Sequence, residues 1–174
     1  MVNQIYFQSP SSGIVSTTQM VRDITEFVNT DPTNFYRLVI GTDSQAKRIN
    51  GEGEIDFVTA IVVHRIGKGA KYYWRKEKKP LKFPADTFLK AKLLRDKIYT
   101  ETLMSLDVAQ LLVPLVRKNI SPKKYDMEIH IDVGSIGPTR EMIKEVVGMV
   151  NGNGFTAKTK PESWGASTVA DRYT

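Results

Sequence analysis

Three carboxylates stand where solvent-facing acids are not expected, and a fourth joins them once the whole chain is considered. Leu94, Ile98, Glu101, Ser105 and Val108 step by four, three, four and three, the spacing of one helical face, so a glutamate occupies the stripe that should face the interior. An ionised carboxylate there costs several kcal/mol unless it is paired, hydrogen-bonded or bound to a metal. A lysine or arginine from a neighbouring strand, or fraying at a helix end, is the plainer explanation. Asp43 and Asp132 each close an apolar run, FYRLVIGTDS (35–44) and YDMEIHIDVG (125–134). Open α/β sheets bind ligands just beyond such strand ends, although either acid taken singly also reads as a turn or cap residue. Asp171, in STVADRYT, carries no signal alone. Cysteine is absent, which excludes disulfides, thiolate nucleophiles, iron–sulfur clusters and thiolate zinc sites.

Charge adds a second theme. The 174 residues hold 25 Lys and Arg against 19 Asp and Glu, a net charge of +6, and the excess is local. Between Arg65 and Lys82 eight basic residues meet one acid, Glu77, so the remainder is nearly neutral. Here Lys71, Tyr73, Trp74, Arg75, Lys76, Lys78 and Lys79 interleave cations with aromatic rings, as in a surface that neutralises phosphates and stacks on bases. A solvated hairpin whose lysines protect an edge strand competes with that reading. Hydrophobic residues make up 41% and charged residues 25%, a soluble globular composition. Apolar runs such as VTAIVV (58–63) fall far short of the roughly 20 residues that span a bilayer. MVNQIYFQSPSSG lacks the basic-then-apolar order of a signal peptide. A cytoplasmic protein without a membrane partner is expected, and nothing in the patterning selects an oligomeric state.

Periodicity predicts the elements that must position these residues. Met20, Val21, Ile24, Phe27 and Val28 recur at helical spacing behind possible caps at Ser16, Thr17 and Thr18, until Asp31-Pro32 stops them. Three strands follow, over 35–44, 55–66 and a third beginning near Ala70, and their short connections favour antiparallel pairing. A helix over 86–106 is capped by Asp86, with a break or kink near Asp107 and Pro114 before a second segment ending near Asn119. In 125–134, Met127, Ile129, Ile131 and Val133 alternate with Glu128, His130 and Asp132, the mark of a two-faced strand. Pro138 opens a helix through Met142, Ile143, Val146, Val147 and Val150 that closes at NGNG (151–154). A short strand over 155–158 and a helix over about 162–173 complete the pattern. The whole reads as one domain, 1–174, with residues 1–34 an N-terminal helical extension and 35–174 the core. Three antiparallel strands followed by strand–helix units make a mixed α/β sheet flanked by helices.

The four acids thus fall on the first strand, the long helix, the strand after it and the final helix. With IGTDSQ (40–45), FVTAIVVHRIGKGAKYY (57–73), ETLMSL (101–106), IHIDVGSIGPT (129–139) and KPESWGASTVAD (160–171), the chain resembles the ribonuclease H-like superfamily, and more closely its bacterial YkuK-type group. The likeness covers most of the chain from residue 35. It implies a five-stranded mixed sheet in the order 3-2-1-4-5, counted from residue 35, with an acidic metal site at the ends of strands one and four. It further implies that Asp43, Glu101, Asp132 and Asp171 are catalytic and bind two Mg²⁺ or Mn²⁺ ions. Asp43 would bridge both, Glu101 and Asp132 complete one site, and Asp171 the other. Hard cations take such oxygen ligands, and a pair of them can activate water, hold a phosphate and stabilise a leaving 3′ oxygen. A metal-dependent nuclease acting on RNA, RNA/DNA hybrid or structured nucleic acid is the function this resemblance implies.

Two other classes fit parts of the pattern. A non-catalytic nucleic-acid-binding protein retaining the fold needs only the basic segment. Nucleotide phosphotransfer of the actin-like kind, faintly suggested by DVGSIG, needs two such domains around its nucleotide, more than 174 residues hold. His130, two residues before Asp132, reads either as structural or as a group titrating beside the site. Ser44, Gln45, Ser135 and Thr139 are placed to touch phosphate, the last two flanking a predicted helix start.

Overall fold

A computed structural model of the chain describes residues 5–50, 52–83, 86–134 and 139–174, the side chains of 166 and 167 excepted. The lead residues form a hairpin of short strands, β1 (Tyr6–Ser9) and β2 (Gly13–Ser16). Ser16 then caps α1 (Thr17–Asn29): its hydroxyl accepts the Gln19 N–H at 3.3 Å, and Gln19 Oε1 accepts the Ser16 N–H at 2.9 Å. Two otherwise orphaned donors are satisfied reciprocally. Met20, Val21, Ile24 and Val28 bury the inner face of α1. The Tyr36 hydroxyl, donating to the Asp31 carbonyl at 3.0 Å, ties the helix exit to the next strand.

Long antiparallel strands β3 (Tyr36–Ile49), β4 (Glu52–Arg65) and β5 (Ala70–Leu81) follow. Helix α2 (Thr87–Arg117) crosses to β6 (Tyr125–His130), parallel to β3, and α3 (Ile143–Gly152) crosses to β7 (Thr156–Lys158), parallel to β6. A π-helical turn over Ala166–Ala170 and a 3-10 turn over Asp171–Tyr173 end the described chain.

Three expectations are corrected. The sheet has seven strands in the order β2-β1-β5-β4-β3-β6-β7, so the expected five, in the order 3-2-1-4-5, are extended by two at the β5 edge. The lead residues, with Phe7 and Val15 buried, add a hairpin at the β5 edge through Gln8 and Trp74, so residues 1–34 contribute strands as well as a helix. Helix α2 runs unbroken through Asp107 and Pro114, both exposed; a proline so near the C-terminal end forfeits little more than one bond to the preceding turn. Residues 164–173 are helical throughout, as expected for about 162–173, but the coil widens to a π-helix over Ala166–Ala170 and tightens to 3-10 over Asp171–Tyr173. Gly165 packs closely on β3, where a Cβ would come within 2.4 Å of Val39 Cγ1. Ser135 and Pro138 lie outside the described residues.

Alternation along the strands gives the sheet two faces. One buries Leu38, Ile40, Ile61, Val63, Tyr73 and Ile129 in a core shared with α1, α2 and α3. The other carries Val58, Ala60 and Trp74 and is covered by Val169, Ala170 and Tyr173.

Candidate active site

Strands β3 and β6 pair in parallel, with Ile40 opposite Ile129 and Gly41 opposite His130. Two residues further along each chain stand Asp43 and Asp132, where β6 has ended and β3 runs on beside β4. Continuing that register sets the two acids side by side. Asp43 belongs to the face away from α2, because its neighbours Thr42 and Ser44 face that helix. Thr42 Oγ1 is 2.8 Å from Ser105 Oγ, and Ser44 Oγ donates to Glu101 Oε1 at 2.6 Å. The glutamate on the apolar stripe is therefore hydrogen-bonded, and Lys97 Nζ stands 3.7 Å from the same oxygen.

Electrostatics link the four acids. Burial raises the Glu101 carboxyl from 4.5 to about 7; Asp43 and Asp132 add to the rise, while Ser44 and Lys97 oppose it. Burial likewise lifts Asp43 from 3.8 to about 6, with repulsion from Asp132 and Asp171 added and Lys97 and the Ser44 backbone N–H pulling the other way. Asp43 thus lies in the field of both other aspartates, and Glu101 in that of Asp43 and Asp132. Asp132 Oδ1 is buried and 3.0 Å from Lys160 Nζ, an ion pair without the geometry of a hydrogen bond. Asp171 is exposed on its 3-10 turn.

The donor set suits a hard divalent cation: all oxygen, two carboxyls that a cation would keep ionised, and one buried oxygen lacking a hydrogen-bond donor. Among the described residues no three acids or histidines converge closely enough to form a ready-made metal site. Lys97 and Lys160 provide positive charge beside these acids in this structure.

Strand β5 splits its seven nominated residues between the two faces. Trp74, Lys76 and Lys78 share the face of Asp43; Lys71, Tyr73, Arg75 and Lys79 lie on the other. Lys76 is across Val58 from Asp43, two strands and about 10 Å away. Tyr73 is fully buried and offers no ring to a base, which corrects its nomination for nucleic-acid binding. Trp74 is engaged as well, stacked on Tyr173 with ring centres 3.9 Å apart. Most of the cations are paired. Lys76 lies 3.2 Å from Asp56, Lys78 2.9 Å from Glu54 and Arg75 2.9 Å from Glu77, while Lys79 sits over the Phe57 ring. Asp56, 1% exposed, also meets Lys47. Acids of β4 therefore neutralise much of a segment that looks strongly cationic when read linearly.

Lys97 and Lys160 escaped the sequence reading, although Lys97 lies one helical turn before Glu101 and was legible by spacing. His130 proves structural: it is buried between Glu128 and Gly165, and burial holds its pKa below the usual imidazole value against the pull of Glu128. Ser44 serves Glu101, Gln45 is exposed, and Thr139 Oγ1 accepts the Gly134 N–H at 3.4 Å. Among the described residues no helix is long and apolar enough to cross a membrane.

Residues 19–174 match the family model described as ribonuclease H-like, a span holding all four acids. A Bacillus subtilis (strain 168) protein bearing the description uncharacterized protein YkuK is 31% identical over 186 aligned positions, covering 100% of this chain and 99% of its own length. No solved structure matches at a significant level.

Proposed function

Because this chain belongs to the ribonuclease H-like family, among proteins of the YkuK type, we propose that it is a divalent-metal-dependent nuclease. It would hydrolyse phosphodiester bonds of RNA, RNA/DNA hybrid or structured nucleic acid by a two-metal mechanism. The supporting observation is the placement of Asp43 and Asp132 at adjacent parallel strand ends with Glu101 and Asp171 in the same field. Asp43, Glu101, Asp132 and Asp171 would hold Mg²⁺ or Mn²⁺, which when bound supplies an activated water, neutralises the phosphate and stabilises the leaving 3′ oxygen.

The chain's own groups prepare the site. Ser44 fixes one oxygen of Glu101. Asp43, lifted only to about 6, is ionised in neutral solution. Lys97 and Lys160 moderate the mutual repulsion of the acids. Lys76 stands on the same face, where a phosphodiester chain crossing the site meets it.

Purified protein should cleave labelled hybrid, double-stranded RNA or branched DNA with Mn²⁺ or Mg²⁺, and Asp43→Asn should abolish cleavage. Wild-type inactivity on all three, with no metal binding by calorimetry, overturns the reading. One observation favours a second reading, a non-catalytic nucleic-acid-binding protein that retains the fold: Lys160 Nζ already pairs with Asp132. That reading predicts salt-dependent binding indifferent to metal and to Asp132→Asn.

A further inference from the structure

The segment 163–173 lies across the sheet face opposite α2 and carries Asp171 into the field of Asp43. Val169 and Ala170 pack on Val58 and Ala60. Asp171 itself is exposed and repelled by Asp43, so contacts on either side of it must hold the acid in place.

Two anchors flank the acid. At the near end the Gly165 N–H donates to His130 Nδ1 at 3.0 Å, so Nδ1 is the unprotonated nitrogen. Nε2 then carries the hydrogen and donates it to Glu128 Oε2 at 2.9 Å. A single imidazole tautomer satisfies both bonds. The fit admits no side chain at 165, since a Cβ would lie 2.4 Å from Val39 Cγ1 and 3.1 Å from His130 Nδ1. Trp164 packs edge-on against His130, with centroids 5.2 Å apart. At the far end Tyr173 stacks on Trp74 with 10° between the rings, and its hydroxyl is 3.0 Å from that of Tyr72.

We propose that His130 and Trp74 are positioning residues, which fasten the C-terminal segment at its two ends and thereby hold Asp171 beside Asp43. The role in metal binding rests on the nuclease reading above; the fastening does not. Trp74, which the linear pattern offers to a base, is taken by the protein's own tyrosine. His130 acts through Gly165 and touches no reacting atom.

Two substitutions at His130 separate its bonds. Asparagine sets Oδ1 close to the position of Nδ1 and so keeps an acceptor for Gly165, while glutamine reaches Glu128 and leaves the Gly165 N–H unmet. Hydrogen–deuterium exchange on metal-free protein should show amides 165–173 exchanging about fivefold faster in His130→Gln, the factor for one hydrogen bond. Amides of β3 and β4 should be unchanged, and His130→Asn should match wild type. Gly165→Ala should reproduce the glutamine effect, and Trp74→Ala, but not Trp74→Phe, should accelerate residues 169–173. In Mn²⁺ calorimetry His130→Gln should lose affinity by at most about fivefold, less than Asp171→Asn. Unchanged exchange in both His130→Gln and Gly165→Ala, equal acceleration in His130→Asn, or acceleration throughout the sheet overturns the proposal. The exchange result needs no metal: if it holds while wild type binds no Mn²⁺, the nuclease reading fails and the fastening stands.

Discussion

Glu101→Gln should make this protein more stable and less able to bind metal. Glu101 is 4% exposed and its carboxyl is raised from 4.5 to about 7 by burial, with the opposing pull of Ser44 and Lys97 already included in that value. The carboxyl ionises less readily in the folded chain than in the unfolded one, so folding takes up a proton between those two values. The contribution of Glu101 to stability is greatest at and below pH 4.5, falls as pH rises towards about 7, and is lower by a constant amount above that. At 1.36 kcal/mol per pH unit the loss is about 3 kcal/mol. Glutamine resembles the protonated acid and still accepts the Ser44 hydrogen bond, so it avoids most of this loss. Urea unfolding in chelator at pH 8 should show the variant more stable by about 3 kcal/mol, and the difference should shrink towards zero near pH 4.5. Mn²⁺ should reverse the order at pH 8, because a cation stabilises only the carboxylate. A variant that is less stable at pH 8, or one whose advantage is the same at both pH values, would refute the reasoning that an incompletely compensated buried charge sits at this position.

Other outcomes follow from the same geometry. A cation binds only the ionised carboxyls of Asp43 and Glu101, so Mn²⁺ affinity should fall as pH drops through about 7 to 6, as read by calorimetry across that range. Mn²⁺ at about 100 times its dissociation constant should raise unfolding stability by about 2.7 kcal/mol, and Asp43→Asn should abolish that gain in a thermal-shift measurement. Lys76→Ala should reduce stability by about 1–3 kcal/mol, because Asp56 is left buried with Lys47 alone, whereas Lys71→Ala should change little; denaturant midpoints distinguish them.

The acids were the most legible part of the chain. Asp43 and Asp132 announced themselves because each ends a run that must be buried, and Glu101 because helical spacing put it among Ile98 and Ser105. Asp171 had no such signature. Its relevance comes from a segment whose hold on the sheet depends on His130 and Trp74, far away in sequence. The extra strands were equally hidden, because β1 and β2 are four residues each and join the rest of the sheet only through β5. The basic segment misled for the opposite reason. Its residues are contiguous, but a strand turns alternate side chains to opposite faces, so neighbours in sequence were counted as neighbours in space.

What the sequence determined by itself was the succession of strands and helices from α1 onward and the out-of-place charge of Glu101, since periodicity and the demand for burial are properties of short stretches. Partnership was decided only by the tertiary structure. Ser44 meets Glu101 across 57 positions, β4 brings Glu54 and Asp56 against the lysines of β5, and Tyr173 claims Trp74. Each of these depends on which face of the assembled sheet the strand residue takes. A slip of one residue in a strand would turn Ser44, Trp74 or the β5 lysines to the opposite face, and no local pattern records which register the assembled sheet adopts.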